Sequence, residues 1–258
     1  MLTRIIDSEL FSFLYPVTLV LSVITGYYVA VKFYIRKNIS WTSSGIESAV
    51  IGFFALLLSF TFASSGNSMK DRENLVHQLA DATADLRRHS LFVSDTLKEQ
   101  TKNYLTAYLG QMAKFNSEVK KDKKFFSEEM SEINGFFLTE LTAYSKQNAS
   151  HTQETNQLLP HFSKMNSLFY RILYSYSERT PLLIILLILI ASWLSGVLIG
   201  FMNGFYAKRH YLVPILYIIL VALSVQTIRD LDNPAKGNIK PDYNNFDQQK
   251  QFLQNSSR

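Results

Sequence analysis

The sequence predicts an all-α polytopic membrane protein with four transmembrane helices and a helical-bundle domain inserted between the second and third spans. The first reason is a segregation of charge: 18% of the 258 residues are charged, yet four long stretches contain no Asp, Glu, Lys or Arg. These stretches lie between Glu9 and Lys32, between Glu47 and Lys70, between Arg179 and Lys208, and between Arg209 and Arg229. Each is close to the roughly 20 residues that a helix needs to cross about 30 Å of hydrocarbon.

The second reason is the charged segment between the second and third stretches. Residues 66–179 carry fifteen Lys and Arg against fourteen Asp and Glu, and their apolar side chains recur at helical spacing. This pattern is typical of a soluble bundle of three or four helices. The near-neutral charge also argues against a nucleic-acid partner, which would require a basic face.

These observations divide the chain into four parts. The predicted parts are a first transmembrane hairpin at 1–65, a helical bundle continuous with the second and third spans at 66–180, a second transmembrane hairpin at 181–228, and a polar tail at 229–258. The tail is rich in Asn and Gln, so we expect its last fifteen or so residues to be disordered.

The first span is predicted over about Phe11–Val31 and the second over about Ile46–Ser64. No proline separates the second span from the charged helix after it, so the pattern predicts unbroken helix to about Val119. The remaining helices are predicted at about Phe125–Gln147, Leu158–Glu178, Leu182–Tyr206 and Tyr211–Thr227. The link at 207–210 is so short that the last two spans should be antiparallel neighbours.

The second span carries two stripes of residues four apart. One stripe is small and would let another helix approach closely. The other is bulky, and it either packs against protein or lipid or lines a pore as a hydrophobic constriction. The small stripe is Ala55, Ser59 and Ala63, and the bulky stripe is Phe54, Leu58 and Phe62.

The third span carries the strongest helix-packing signal of the chain. Four small residues follow one another at intervals of four, which opens a groove along the backbone for a neighbouring helix. They are Ser192, Gly196, Gly200 and Gly204. The alternative is that the glycines act as hinge points.

The sequence gives no support for catalysis or for a cofactor. It has no cysteine, and its five histidines, at positions 77, 89, 151, 161 and 210, form no recognisable metal-ligand spacing. No phosphate-binding loop, dinucleotide fingerprint or nucleophile motif is present. The cores of the spans also lack ionisable residues, which argues against a proton- or ion-coupled transporter.

Two acidic residues follow the fourth span. Asp230 and Asp232, with nearby carbonyl groups, would suit a hard cation such as calcium. The alternative is a capped helix end followed by a turn that contains Pro234 and Gly237.

Two stretches resemble the bacterial bestrophin-like membrane-protein family, whose function is unknown. They are GFFALLLSFTFASSGNSMKDRENLVHQLADATADLRR, which joins the second span to the charged helix, and DLDNPAKG after the fourth span. The family pairs a basic residue at the exit of that span and a run like E-A-N-A with a D-x-D-x-P-x-x-G signature. The matching residues are Arg72, Asp81, Asp230, Asp232, Pro234 and Gly237, while Leu79 departs from the family's Glu.

The resemblance implies a relation to bestrophin anion channels, which are pentamers of four-span subunits with the second span lining the pore. It implies that Phe54, Leu58 and Phe62 form the neck of such a pore. Bestrophins keep their helical domain in the cytoplasm, whereas the short links, with five Lys and Arg and no acid, favour an extracytoplasmic bundle. The side of the membrane stays open.

The sequence thus predicts a homo-oligomeric channel of the cell (inner) membrane that passively conducts small ions. In this interpretation the second span lines the pore, the third and fourth spans pack the assembly, and the bundle forms a vestibule or gate. The alternative is a non-conducting sensor or scaffold whose bundle binds a ligand or a protein. The expected partners are the lipid bilayer, further copies of the chain and small ions.

Overall fold

In the computed structural model, which describes residues 6–37, 39, 41–42, 44–115, 123–205 and 211–255, all regular secondary structure is helical. The helices are α1 (Glu9–Val29), α2 (Ile46–His89), α3 (Asp95–Met112), α4 (Lys123–Ser145), α5 (Ala149–Ser175), α6 (Leu182–Phe205), α7 (Leu212–Asp232) and α8 (Asn244–Asn255). Four of these, α1, α2, α6 and α7, are long and apolar enough to cross a membrane. The predicted all-α fold with four spans is confirmed.

The chain forms two compact units. The first, which we call the spanning unit, comprises Met1–Ser68 and Arg179–Asn233, and the second, the bundle unit, comprises Met69–Glu178 and Pro234–Arg258. The four-part division drawn from the sequence stays a prediction, because compactness does not show which segments fold by themselves.

The spanning unit is built around the pair α1 and α6. Tyr15 in the first half of α1 meets Ser192 near the middle of α6, and Ala30 just after α1 meets Gly204 near the end of α6, so the two helices run in the same direction. Helix α7 joins them through Tyr217, whose hydroxyl group donates to the carbonyl group of Ser192. Ten of its buried apolar side chains form one cluster: Ile6, Phe11, Tyr15, Leu19, Phe54, Ile188, Leu189, Val221, Ala222 and Val225.

The bundle unit has an aromatic core. The rings of Tyr104 and Phe137 stack with centroids 4.2 Å apart, and the hydroxyl group of Tyr104 donates to the amide oxygen of Asn134 at 2.7 Å. Burial raises the pKa of Tyr104 well above its ordinary value. The fully buried rings of this core also include Tyr108, Phe115, Phe126, Phe169 and Phe246.

The predicted continuous helix from the second span to about Val119 is wrong. Helix α2 ends at His89, a 3₁₀ turn covers Ser90–Phe92, and Val93 is extended. Helix α3 then begins with Ser94 as its N-cap, whose hydroxyl group accepts from the N–H of Leu97. The helical spacing of apolar residues continues across the turn, because both helices bury their apolar residues in the same core. Periodicity alone therefore could not reveal where the first helix ends.

The predicted disorder of the last fifteen or so residues is also wrong for the described part. Residues 244–255 form α8, and the side chains of Tyr243, Phe246 and Leu253 are buried in the bundle core. Gln249 donates to the carbonyl group of Ala80 at 2.9 Å. A few apolar residues at helical spacing are enough to dock a segment whose average composition is polar.

Some predictions fall on residues outside the described ranges. These are the end of the third span at Tyr206 and the short link at 207–210.

Candidate functional site

The membrane half of α2 buries only one of its faces. Phe54, Thr61 and Ser65 are buried, and their spacing of seven and four residues places them on one side of the helix. Phe54 lies in the apolar cluster of the spanning unit. The other faces of this half-helix are exposed in the subunit, so they are the ones that other molecules can contact.

The three residues predicted to form the pore neck differ in how far they are exposed. Phe54 is 4% exposed, Leu58 packs in part against the same apolar cluster, and Phe62 is 44% exposed. Only Phe62 of the three presents much of its ring to the outside of the subunit. A pore that runs along an exposed face of α2 would therefore not meet the ring of Phe54.

The small stripe of α2 is exposed along its length. Ala55, Ser59 and Ala63 are exposed, and a Cβ atom added at Gly52 or Gly66 would meet nothing within 4 Å. The hydroxyl group of Ser59 donates to the carbonyl group of Ala55 at 2.8 Å and leaves its oxygen lone pairs on this surface. We call these residues, together with Phe62, the small face of α2.

A second exposed face of α2 carries large apolar side chains. Phe53 and Phe60, seven residues apart, are 64% and 68% exposed. Such side chains suit contact with lipid or with another apolar helix. The two exposed faces therefore differ sharply in size and polarity.

The glycine stripe of α6 lies against α1. A Cβ atom at Gly200 would overlap the carbonyl oxygen of Val23, and one at Gly204 would overlap the methyl group of Ala30. At the head of the stripe, Ser192 accepts a hydrogen bond of 2.9 Å from the hydroxyl group of Tyr15. The face that the sequence assigned to assembly is thus occupied within the subunit.

Sequence reasoning missed the partner stripe on α1. Ser22, Gly26 and Ala30 are small residues four apart, and a Cβ atom at Gly26 would overlap the carbonyl oxygen of Val197. The signal was present in the sequence, because this spacing is the same as the one recognised in α6.

Arg72 closes the end of a helix in the bundle unit. It is 3% exposed, and its guanidinium group donates to the carbonyl oxygens of Ser175 at 3.1 Å and Glu178 at 3.0 Å. The last carbonyl groups of α5 lack partners within the helix and carry partial negative charge. Arg72, a residue of the family motif, therefore stabilises the end of α5.

In the spanning unit, Asp232 accepts hydrogen bonds at the start of a helix, whereas Arg72 donates at the end of one. Its carboxylate accepts from the N–H of Thr180 at 2.6 Å and from the hydroxyl group of Thr180 at 2.7 Å, just before α6 begins. Asp230 pairs with the guanidinium group of Arg229 at 3.3 Å. Among the described residues there is no group of three or more His, Asp or Glu side chains placed to hold a metal ion.

The remaining motif residues lie in the bundle unit. Pro234 and Gly237 are buried in the turn region after α7, whereas Asp81 is exposed on α2, beside a polar cleft that α8 also lines. Leu79, which stands where the resembling family has Glu, is fully buried in the aromatic core. No carboxylate chemistry is available at that position.

A family model described as a bestrophin-like domain matches residues 42–240 of the chain. Crystal structures of three single-residue variants of a bacterial bestrophin homologue from Klebsiella pneumoniae are similar to the chain, each at 13% identity. Two of them superpose with a TM-score of 0.64; one covers 94% of this chain and 98% of its own, and the other covers 92% and 97%. The third superposes with a TM-score of 0.63 and covers 93% of this chain and 96% of its own. No curated protein sequence matches. The fold is shared over nearly the whole length.

Proposed function

The chain belongs to the bestrophin-like family, and from this we propose that it is an oligomeric membrane channel that passively conducts small ions along the small face of α2. The known members of the family are ion channels. The fold match to a bacterial bestrophin homologue supports the proposal, as do the four helices able to cross a membrane.

The small face of α2 is the observation that carries the proposal. A helix that lines an ion path needs a surface that leaves room for a hydrated ion, and Ala55, Ser59 and Ala63 provide such a surface. Phe62 is the one large side chain on this face and would form the apolar constriction, since such a ring gates by excluding water. We assign Phe54 and Leu58 to packing behind the pore wall.

The pore would form between copies of the chain. One helix presents the small face, so several subunits around a common axis are needed to enclose a path, and the resemblance to bestrophins suggests five. Along α2 there is no charged residue between Glu47 and Lys70, so no acidic ring is available there to select cations. We therefore propose small anions as the permeating species.

Cysteine accessibility tests the assignment of the small face directly, because the natural chain contains no cysteine. We would record currents from Ser59→Cys and Ala63→Cys channels in planar bilayers before and after a charged, thiol-reactive reagent. The reagent should block both variants, because the new charge would stand in the ion path. Phe53→Cys on the large apolar face is the matched control and should keep its current. Block of Phe53→Cys alone would place the pore on the other face.

The proposed constriction is tested by a pair of equal truncations. Phe62→Ala should raise conductance or open probability, because a narrower apolar neck is harder to wet. Phe60→Ala removes the same ring from the other exposed face and should leave the current unchanged. An intact oligomer that stays silent across salts, voltages and calcium concentrations would favour the alternative of a non-conducting sensor or scaffold.

A further inference from the structure

A cavity in the spanning unit has no part in the proposed ion path. It encloses about 80 Å³ and is lined by the start of α1, the segment that leads into α6, the start of α6 and the end of α7. Its walls are large apolar side chains, chiefly Phe11, Ile185, Ile188, Leu189, Val225 and Ile228. A cavity with such walls does not bind water well, because water needs two or more polar partners.

Charged side chains also line the cavity. Asp7, Arg179, Arg229 and Asp232 all line it, two acids and two bases. Arg179 donates to the carboxylate of Asp7 at 2.6 Å through Nη1, and the structure gives the rest of this guanidinium group, among the described residues, no further hydrogen bond. The Arg179 side chain is 35% exposed and the Asp7 side chain 13%.

These helix ends lie where spans meet the polar headgroup region of a bilayer, because the charge-free stretches begin or end there. An occupant of the cavity would therefore place hydrocarbon along Ile188 and Val225 and a polar group at Arg179. Lipid is the molecule of this shape that surrounds every membrane protein.

We propose that this cavity is a binding site for a zwitterionic phospholipid of the phosphoethanolamine class, with part of one acyl chain inside it. The phosphate would take the remaining donors of Arg179, and the ammonium group would face the carboxylate of Asp7. With Asp230, which pairs with Arg229, the charged side chains here are three acids and two bases, so a zwitterion matches them better than an anionic headgroup does. The rest of the acyl chain would follow the exposed apolar surface of α6 at Leu183 and Leu187.

The test measures lipid retention by the purified full-length protein with native mass spectrometry, after incubation with dioleoyl phosphatidylethanolamine. Val225→Phe fills the cavity and should lower retention at least tenfold, while Val213→Phe, on the exposed surface of the same helix, should not change it. If Val225→Phe fails to fold, Arg179→Gln, at a partly exposed residue, gives the same information. Arg36→Gln, another exposed arginine of the spanning unit, is its control.

Competition with other molecules shows whether the site recognises the zwitterionic headgroup and whether it needs the acyl chain. Dioleoyl phosphatidylglycerol should be retained more weakly than phosphatidylethanolamine, and free phosphoethanolamine should not compete. Equal retention of phosphatidylglycerol would overturn the zwitterionic assignment, and competition by free phosphoethanolamine would overturn the role of the acyl chain. Retention that no variant lowers would remove the site altogether. The ion currents are a separate measurement, so either proposal can fail without the other.

Discussion

The two units hold their helices together with different kinds of side chain. In the spanning unit, α1 and α6 touch through small residues, so that Gly26 and Gly200 bring one backbone against the other. In the bundle unit the contacts are made by rings, such as Phe115 stacked on Tyr243 with centroids 4.8 Å apart. Both arrangements occur in one chain of 258 residues.

The difference follows from the solvent of each unit. In lipid, a large apolar side chain gains little by leaving its surroundings for another helix, so tight backbone packing has to supply the attraction. In water, the burial of an aromatic ring stabilises the fold by the hydrophobic effect. Many large apolar side chains of α1, α6 and α7 accordingly stay exposed, for example Phe13, Leu183 and Leu220.

The largest effect should come from Gly200→Leu. The new side chain would overlap the carbonyl oxygen of Val23, which is backbone and can move only if α1 and α6 separate. We expect loss of the folded protein, measured as the fraction that elutes at the position of the natural protein in size-exclusion chromatography. Gly135→Leu is the control, because a Cβ atom there meets nothing within 4 Å. Native elution of Gly200→Leu would show that the α1–α6 contact is not tight.

The next largest effect should come from Phe169→Ala in the bundle unit. Phe169 is fully buried, and the loss of such a ring lowers the free energy of unfolding by about 3–5 kcal/mol. Phe136→Ala removes an equal ring that is 68% exposed and should cost less than about 0.5 kcal/mol. Denaturant unfolding followed by circular dichroism measures both. Similar losses for the two variants would mean that the core of the bundle unit is not packed around Phe169.

These contrasts also show what the sequence reveals about each unit. The spans were predictable because a stretch of about 20 residues without charge most commonly forms a transmembrane helix. The turn at Ser90–Phe92 was not, because the apolar residues on both sides of it face one core and keep the helical period. Helix α8 was missed because composition averages over Phe246 and Leu253, the residues that dock it.

The candidate site was predictable only in part. The second span was identified from its stripes, but periodicity cannot tell which stripe faces the rest of the subunit. That choice depends on tertiary packing, which buries Phe54 and leaves Ser59 exposed. In the same way, the glycine stripe of α6 predicted a tight helix contact but did not show that α1 is the helix in contact.

Each unit also secures one helix end with a charged side chain, and these two contacts should differ in strength. Arg72→Met leaves two carbonyl oxygens near the end of α5 without their donor, at a cost of about 1–3 kcal/mol in unfolding free energy. Asp232→Asn keeps an oxygen that can accept from Thr180, so its cost should be smaller. Thermal unfolding of the purified variants compares them. A larger loss for Asp232→Asn would indicate that its negative charge, rather than its hydrogen bonds, stabilises the start of α6.

The smallest effect concerns pH and should be confined to the bundle unit, which contains all four described histidines. The rings of His89 and His161 stack with centroids 3.7 Å apart. The pKa of His161 lies below its ordinary value of 6.5, because burial disfavours the charged ring and because His89 and Lys164 are positively charged neighbours when protonated. Asp85 opposes this shift, but its carboxylate is engaged by Arg88 and Lys164.

The sign of the pH effect follows from this lowered pKa. In the unfolded chain His161 regains its ordinary value, so the unfolded state takes up a proton first as the pH falls below about 6.5. The contribution of His161 to stability is therefore complete above that pH and declines as the solution is acidified. Thermal unfolding at pH 7.5 and pH 5.5 should show a smaller difference for His161→Gln than for the natural chain, while His77→Gln, outside the stacked pair, should leave the difference unchanged. An equal difference in His161→Gln would show that the stacked histidines do not couple protonation to the stability of the bundle unit.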